Sequence, residues 1–186
     1  MSLIEIIRAY QPGCAQEAAD RQVMLASLER GEKLLTRENL VMHFTASAWI
    51  VNPPQTKALM VYHNLYDSWA WTGGHADGEE DLLRVALREA EEETGARVRL
   101  LRPAVYSLET LTVNPHIKRG KYVPAHLHLN LTYLLEADES DHLTIKPDEN
   151  RGVAWFPLSD AVDACSEPWM RPVYEKLNAR LDTDPA

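Results

Sequence analysis

Alternation of apolar and polar residues predicts the β-strands of this chain. Residues 43–51 and 125–135 alternate along most of their length, which is typical of strands that bury one face. Residues 58–63 and 152–156 are shorter strand candidates, and residues 97–113 form one long or broken extended stretch. The pattern therefore predicts a sheet built from segments that are distant in sequence.

Helical spacing of apolar residues occurs at both ends of the chain and in its middle. Residues 2–37 carry this spacing in two segments that Pro12–Gly13 separates, which predicts a pair of helices. Residues 80–94 are predicted as one helix, and residues 158–164 and 169–181 as two more. This order of elements suits a mixed sheet packed between helices.

Length and composition are those of an ordinary globular protein. The chain has 186 residues, of which 45% are hydrophobic and 25% charged, enough to build one sizeable core. We expect an N-terminal helical extension over residues 1–39 and a main domain over residues 40–186. The extension could serve homodimer formation or cap a substrate cleft.

Charge and hydropathy exclude several function classes. The formal net charge of −9 argues against a broad nucleic-acid surface. No apolar run approaches the roughly 20 residues of a membrane span, so no membrane association is expected. The N-terminus lacks the pattern of a signal peptide, which predicts a cytoplasmic location. Cys14 and Cys165 lack the spacing of metal ligands.

Three carboxylates are the strongest candidates for chemistry. Glu89, Glu92 and Glu93 stand at positions i, i+3 and i+4, so a helix brings them to one face. Like-charged pairs at this spacing cost an isolated helix roughly 0.2–0.5 kcal/mol each. A divalent cation would remove that cost, and clustered carboxylate oxygens suit Mg²⁺ or Mn²⁺.

These carboxylates lie within a longer motif. Residues 74–95 follow the pattern G-x5-E-x7-R-E-U-x-E-E-x-G, where U is an apolar residue, and by this motif the chain resembles the Nudix hydrolases. Residues 43–52, 71–78 and 124–135 are similar to a bacterial subgroup with an N-terminal helical extension. The resemblance implies an α/β fold, the Nudix α/β/α sandwich with a mixed β-sheet. It also implies hydrolysis of a nucleoside diphosphate linked to another moiety, by water attack on phosphorus.

The resemblance also implies roles for the motif residues. Glu92 and Glu93 match metal ligands, Glu89 matches a ligand or the general base, and Glu80 matches a more peripheral contributor. The carbonyl of Gly74 matches a further ligand.

Two further residues have open interpretations. Arg88 is interpreted as the partner that orients a motif carboxylate, although it could instead pair with Glu91 in solvent. Some members of the family take the general base from a loop, and Glu149 is the candidate here. The alternative for Glu149 is an ordinary solvated acid.

Histidines and tryptophans are the candidates for substrate contacts. His126 and His128 share a strand face, and His75 follows the glycine pair, so all three could contact phosphate. A zinc site at the H-x-H pair and a purely structural role are the alternatives. Trp71 could stack on a base, whereas core packing is the commoner role of an indole.

Three function classes remain open at this point. The first is a Mg²⁺-dependent pyrophosphohydrolase acting on a nucleotide-derived small molecule of undefined identity. The second is a nucleotide-sensing module of the same fold without turnover. The third is an isomerase of the kind that shares this fold, which fits less well because no cysteine lies near the expected site positions.

Overall fold

The computed structural model describes residues 1–118 and 120–183, and an eight-stranded mixed sheet forms its centre. The strands are β1 (Met42–Val51), β2 (Lys57–His63), β3 (Ser68–Ala70), β4 (Thr72–His75), β5 (Arg99–Leu100), β6 (Ser107–Val113), β7 (His116–Lys118), β8 (Lys121–Val123), β9 (His126–Glu136) and β10 (Asn150–Pro157). The helices are α1 (Leu3–Ala9), α2 (Ala15–Glu29), α3 (Leu82–Thr94), α4 (Leu158–Ala164) and α5 (Arg171–Thr183). Strands β7 and β8 form a separate two-stranded sheet.

The parallel pair of β1 and β9 is the longest ladder of the sheet. It runs from Met42 opposite Leu127 to Val51 opposite Glu136. Phe44 and Leu129 belong to one apolar cluster, which includes residues of α3. Trp49 and Leu134 belong to a second cluster, which includes residues of α4 and α5. Helices therefore cover both faces of the sheet, and the predicted α/β/α architecture with a mixed sheet is confirmed.

Two boundaries differ from the sequence prediction for physical reasons. The extended stretch 97–113 is broken into β5 and β6, which pair with different parts of β9. Pro103 lies between them and has no N–H to give to a ladder. Helix α3 begins at Leu82 rather than at Glu80, because the Asp81 carboxylate caps it by accepting a hydrogen bond from the Arg84 N–H at 3.2 Å.

The N-terminal helices cover an edge of the sheet. The Gln16 side chain donates to the Leu108 carbonyl at 3.1 Å, and the Asp20 carboxylate accepts from the Thr110 N–H at 2.9 Å. These contacts satisfy backbone groups of β6 that an open edge would expose. Ile7 and Met24 join the apolar cluster that contains Phe44. Of the helices within the described ranges, none is long and apolar enough to span a membrane.

A buried ion network ties α2 to α5. The fully buried Glu17 lies 3.0 Å from the Arg180 guanidinium and 3.3 Å from Lys176 Nζ. It also accepts hydrogen bonds from the Gly13 N–H at 2.7 Å and the Ser107 hydroxyl at 2.8 Å. Burial opposes ionisation of Glu17, but the hydrogen bonds and the nearby cations outweigh it and lower the pKa of its carboxyl.

Glu17→Gln should therefore destabilise the protein strongly. The change leaves two partly buried cations without their common partner, and breaking a buried ion pair costs about 3–5 kcal/mol. Urea unfolding measures the loss. The control is Glu29→Gln in the same helix as Glu17; it breaks only the exposed pair with Arg8 of α1 and should change the free energy of unfolding by less than about 1 kcal/mol. Equal unfolding midpoints for the two variants would contradict the importance of the network.

Candidate functional site

A pair of glycines lets α3 approach strand β4. Strand β4 pairs antiparallel with β1, with Gly73 opposite Ser47 and Gly74 opposite Ala46. A Cβ atom on Gly74 would lie 2.5 Å from Cδ of Glu89, and one on Gly73 would lie 2.6 Å from the Ala46 carbonyl oxygen. Neither space admits a larger residue, so the glycines place the Glu89 side chain against the backbone of β4.

Three carboxylates meet beside this backbone. One oxygen from each of Glu89, Glu93 and Glu149 lies within 4.8 Å of the other two. Glu93 is buried and accepts a hydrogen bond from the Gly73 N–H at 3.2 Å. Burial raises the pKa of Glu93 to about 8; the Gly73 N–H opposes this shift, and the neighbouring Glu89 and Glu149 carboxylates add to it. The three carboxylates therefore form a group of oxygen ligands whose negative charge is not fully compensated by nearby positive charge.

Lys146 is the cation that faces the carboxylates, and the sequence analysis did not identify it. Its Nζ lies 2.9 Å from Glu92, 3.0 Å from Glu149 and 3.8 Å from Glu89. Burial opposes its charge, but the hydrogen bonds to Glu92 and Glu149 dominate and raise the pKa of Lys146. In the sequence, only its position three residues before Glu149 pointed to a role for Lys146, and a basic residue in a polar loop is too common to be singled out.

The loop that carries Lys146 and Glu149 is fixed to the C-terminal end of α3. The Thr144 N–H donates to the Thr94 carbonyl at 2.8 Å, and the Asn150 side chain donates to the Glu93 carbonyl at 2.9 Å. The Asn64 N–H donates to the Glu149 carbonyl at 2.9 Å. The loop thus brings an acid from outside the motif to the motif carboxylates, where the sequence analysis looked for it.

The other motif residues lie around this cluster at different depths. Arg88 donates to Glu89 at 2.9 Å and lies 3.8 Å from Glu92, so it contacts two motif carboxylates. Glu92 is more exposed and contacts Lys146 and Arg88. Glu80 is exposed and precedes α3, so it lies outside the helix that the sequence analysis expected to begin with it.

The predicted substrate residues separate into two groups. His75, His126 and His128 come together, and the structure adds His43, whose ring lies about 5 Å from each of the other three. Because His43 is opposite His128 in the β1–β9 ladder, the sequence signal for it was the register of two distant strands.

Trp71 packs away from these histidines, with the second apolar cluster. Its ring makes an edge contact with Tyr174 at 5.6 Å between centroids, and the buried Trp49 stacks on the same tyrosine at 5.1 Å. This placement favours core packing over base stacking for Trp71.

Comparison with known proteins was consistent across sequence and structure. The sequence model of the NUDIX domain matches residues 42–177, which is more than half of the chain. A CMP-5'-(N-acetyl-N-hydroxy-3-aminopropyl)phosphonate hydrolase of Streptomyces rubellomurinus is 31% identical over 136 residues, covering 68% of this chain and 59% of that protein. The m7GpppN-mRNA hydrolase NUDT17 of Xenopus laevis is 32% identical over 99 residues, covering 51% of this chain and 31% of that protein.

Solved structures share the fold at lower identity. An Ap4A hydrolase of C. elegans in a binary complex has a TM-score of 0.56 and 20% identity, covering 75% of this chain and 98% of that chain. The hydrolase RenU of M. smegmatis has a TM-score of 0.57 and 17% identity, covering 77% and 88%. These similarities establish the fold.

The buried Glu93 predicts an unusual pH dependence of stability. Its carboxyl pKa is near 4.5 when unfolded and about 8 when folded, so the folded state holds the proton more tightly. The free energy of unfolding of metal-free protein should therefore fall as the pH rises from 4.5 to 8. Glu93→Gln should remove this loss and raise the unfolding temperature by several degrees above the wild type at about pH 9, since 1 kcal/mol corresponds to about 2–4 °C.

Thermal unfolding in a chelator, measured from about pH 5 to about pH 9, checks this expectation. Glu91→Gln on the exposed side of α3 is the control and should follow the wild-type curve. If Glu93→Gln unfolds at a lower temperature than the wild type over the whole pH range, the buried Glu93 carboxylate does not destabilise the protein.

Proposed function

The chain belongs to the Nudix family, and we propose that it is a metal-dependent hydrolase that cleaves the pyrophosphate bond of a nucleoside diphosphate linked to another moiety. The observation that carries the proposal is the meeting of Glu89, Glu93 and Glu149, with their oxygens within 4.8 Å of one another. One of these acids is buried with little to neutralise it, which is a reason for a cation to bind there.

The donor set fits a hard divalent ion. Glu89 and Glu93 offer carboxylate oxygens close to Glu149, Glu92 adds another at the rim, and the Gly74 carbonyl belongs to the strand against which Glu89 lies. Such a set is suited to Mg²⁺, with Mn²⁺ as a substitute. When bound, the ion would neutralise phosphate charge and lower the pKa of a coordinated water.

The protein residues have separate roles in this proposal. Arg88 holds the Glu89 carboxylate in place through its hydrogen bond at 2.9 Å. Lys146 neutralises Glu92 and Glu149 in the free protein, and its three donors can turn to the phosphate of a substrate. Little covalent work is required of the protein in phosphoryl transfer, so positioning and charge neutralisation dominate.

We assign the general base to Glu149 and metal binding to Glu89. Glu89 lies against the β4 backbone with one oxygen bound by Arg88, which suits a fixed ligand. Glu149 comes from a loop, and 38% of its side chain is exposed, so it can reach a water on the open side.

The relatives guide the choice of substrates to test. One relative is named for a CMP-linked phosphonate and another for capped mRNA, and a structural neighbour is named for Ap4A. A panel of these compounds with ADP-sugars and nucleoside triphosphates covers the different groups that can be attached to a nucleotide.

The first experiment measures phosphate release from this panel with Mg²⁺ or Mn²⁺, after treatment of the products with a phosphatase. Wild type and Glu91→Gln should hydrolyse the same compound, and Glu93→Gln should lose about 10²–10³-fold of the rate. Because Glu93→Gln is expected to be the more stable protein without metal, lost activity would not reflect unfolding. Tight nucleotide binding without hydrolysis in the wild type would instead favour a sensing module.

The second experiment separates the base from the ligand. Glu149→Gln should lower kcat by about 10²–10⁴-fold and leave the Mg²⁺ concentration for half-maximal rate unchanged. Glu89→Gln should raise the required Mg²⁺ concentration, because it removes a ligand. The opposite pair of results would assign the base to Glu89.

A further inference from the structure

The four histidines form a second cluster that the proposed hydrolysis does not use. One ring nitrogen from each of His43, His75, His126 and His128 lies within 4.8 Å of the other three. They come from β1, β4 and β9, which neighbour one another in the sheet. His75 directly follows Gly74 in β4, and because side chains alternate along a strand, the histidines lie on the face opposite Glu89.

Backbone carbonyls fix two of the four rings in one tautomer. Nδ1 of His43 lies 3.1 Å from the Asn39 carbonyl oxygen, and Nδ1 of His126 lies 2.9 Å from the Pro124 carbonyl oxygen. A carbonyl can only accept, so each Nδ1 carries a proton, and in the neutral ring Nε2 is then the nitrogen with a free lone pair. Metal-binding histidines are commonly oriented in this way.

The Nε2 atom of His43 gives independent evidence that the cluster lacks a ligand. Only 4% of the residue is exposed, and its Nε2 is buried without a hydrogen-bond partner among the described residues. Buried polar atoms nearly always have partners, so this lone pair requires an explanation. A metal ion within the ring of four histidines would supply the missing contact.

The spacing also suits an ion. Two nitrogens bound tetrahedrally at about 2.0–2.1 Å from Zn²⁺ lie about 3.3 Å apart. Nε2 of His126 and Nε2 of His128 are already 3.2 Å apart. His75 and His128 are only partly buried, which leaves access from solvent.

We propose that His43, His75, His126 and His128 form a binding site for one transition-metal ion, with Zn²⁺ as the best-fitting ion. Four imidazole nitrogens favour such metals over Mg²⁺, which prefers oxygen. A bound ion links β1, β4 and β9 and so stabilises the strand that carries the glycine pair.

Zinc binding to the tag-free, chelator-treated full chain tests the proposal. Calorimetric titration with ZnCl₂ in excess Mg²⁺ should give one ion per chain, and the ion should raise the unfolding temperature. His75→Ala and His128→Ala, at the partly exposed positions, should each weaken binding by at least about tenfold. His63→Ala, which removes a partly buried histidine of β2 that stacks on Tyr66, should bind as the wild type does.

Two further measurements distinguish this site from the carboxylates. Glu93→Gln should keep its one Zn²⁺, and Co²⁺ in the wild type should give the visible absorption of a tetrahedral nitrogen site. Loss of binding in Glu93→Gln, or equal binding in the histidine variants and the wild type, would overturn the proposal. The absence of Zn²⁺ binding to the wild type would also overturn it. A raised KM in His128→Ala would then assign the histidines to the substrate.

Discussion

The antiparallel pairing of β4 with β1 is the constraint on which both candidate sites depend. Only four residues long, β4 places Gly74 opposite Ala46 and His75 opposite Thr45. Because adjacent residues of a strand face opposite sides, a single step along the chain separates the carboxylates of α3 from the histidines. A slip of one residue in this register would turn His75 toward α3 and so disturb both groups of ligands.

Two buried acids of this protein differ in how well their negative charge is compensated. Glu93 is buried beside two other acids, and Lys146 is the cation whose ammonium group lies close to those acids. Glu17 is buried as completely, yet cations and N–H donors surround it. The contrast shows that burial alone does not set the pKa of an acid, since the two carboxyl pKa values move in opposite directions.

Sequence periodicity predicted the elements that bury a regular face, and it missed what distant contacts decide. The alternation in residues 43–51 and 125–135 identified β1 and β9, and the spacing from Glu89 to Glu93 identified the face of α3. His43 joined the other histidines only through the parallel register, and Lys146 reached the carboxylates only through hydrogen bonds between its loop and α3. Such contacts leave no local pattern in a sequence.

The chemistry of the two ligand sets would let the two proposed sites keep two kinds of metal apart. Carboxylate oxygens on the α3 side suit Mg²⁺, which binds imidazole poorly, whereas imidazole nitrogens on the other side suit Zn²⁺. Zinc also binds carboxylates, so separation in this direction depends on the stronger binding that four preorganised nitrogens provide. The Asn39 and Pro124 carbonyls contribute that preorganisation, because they fix the tautomers of His43 and His126 before any ion arrives. Selectivity at the proposed histidine site would therefore rest on backbone groups as much as on the ligands themselves.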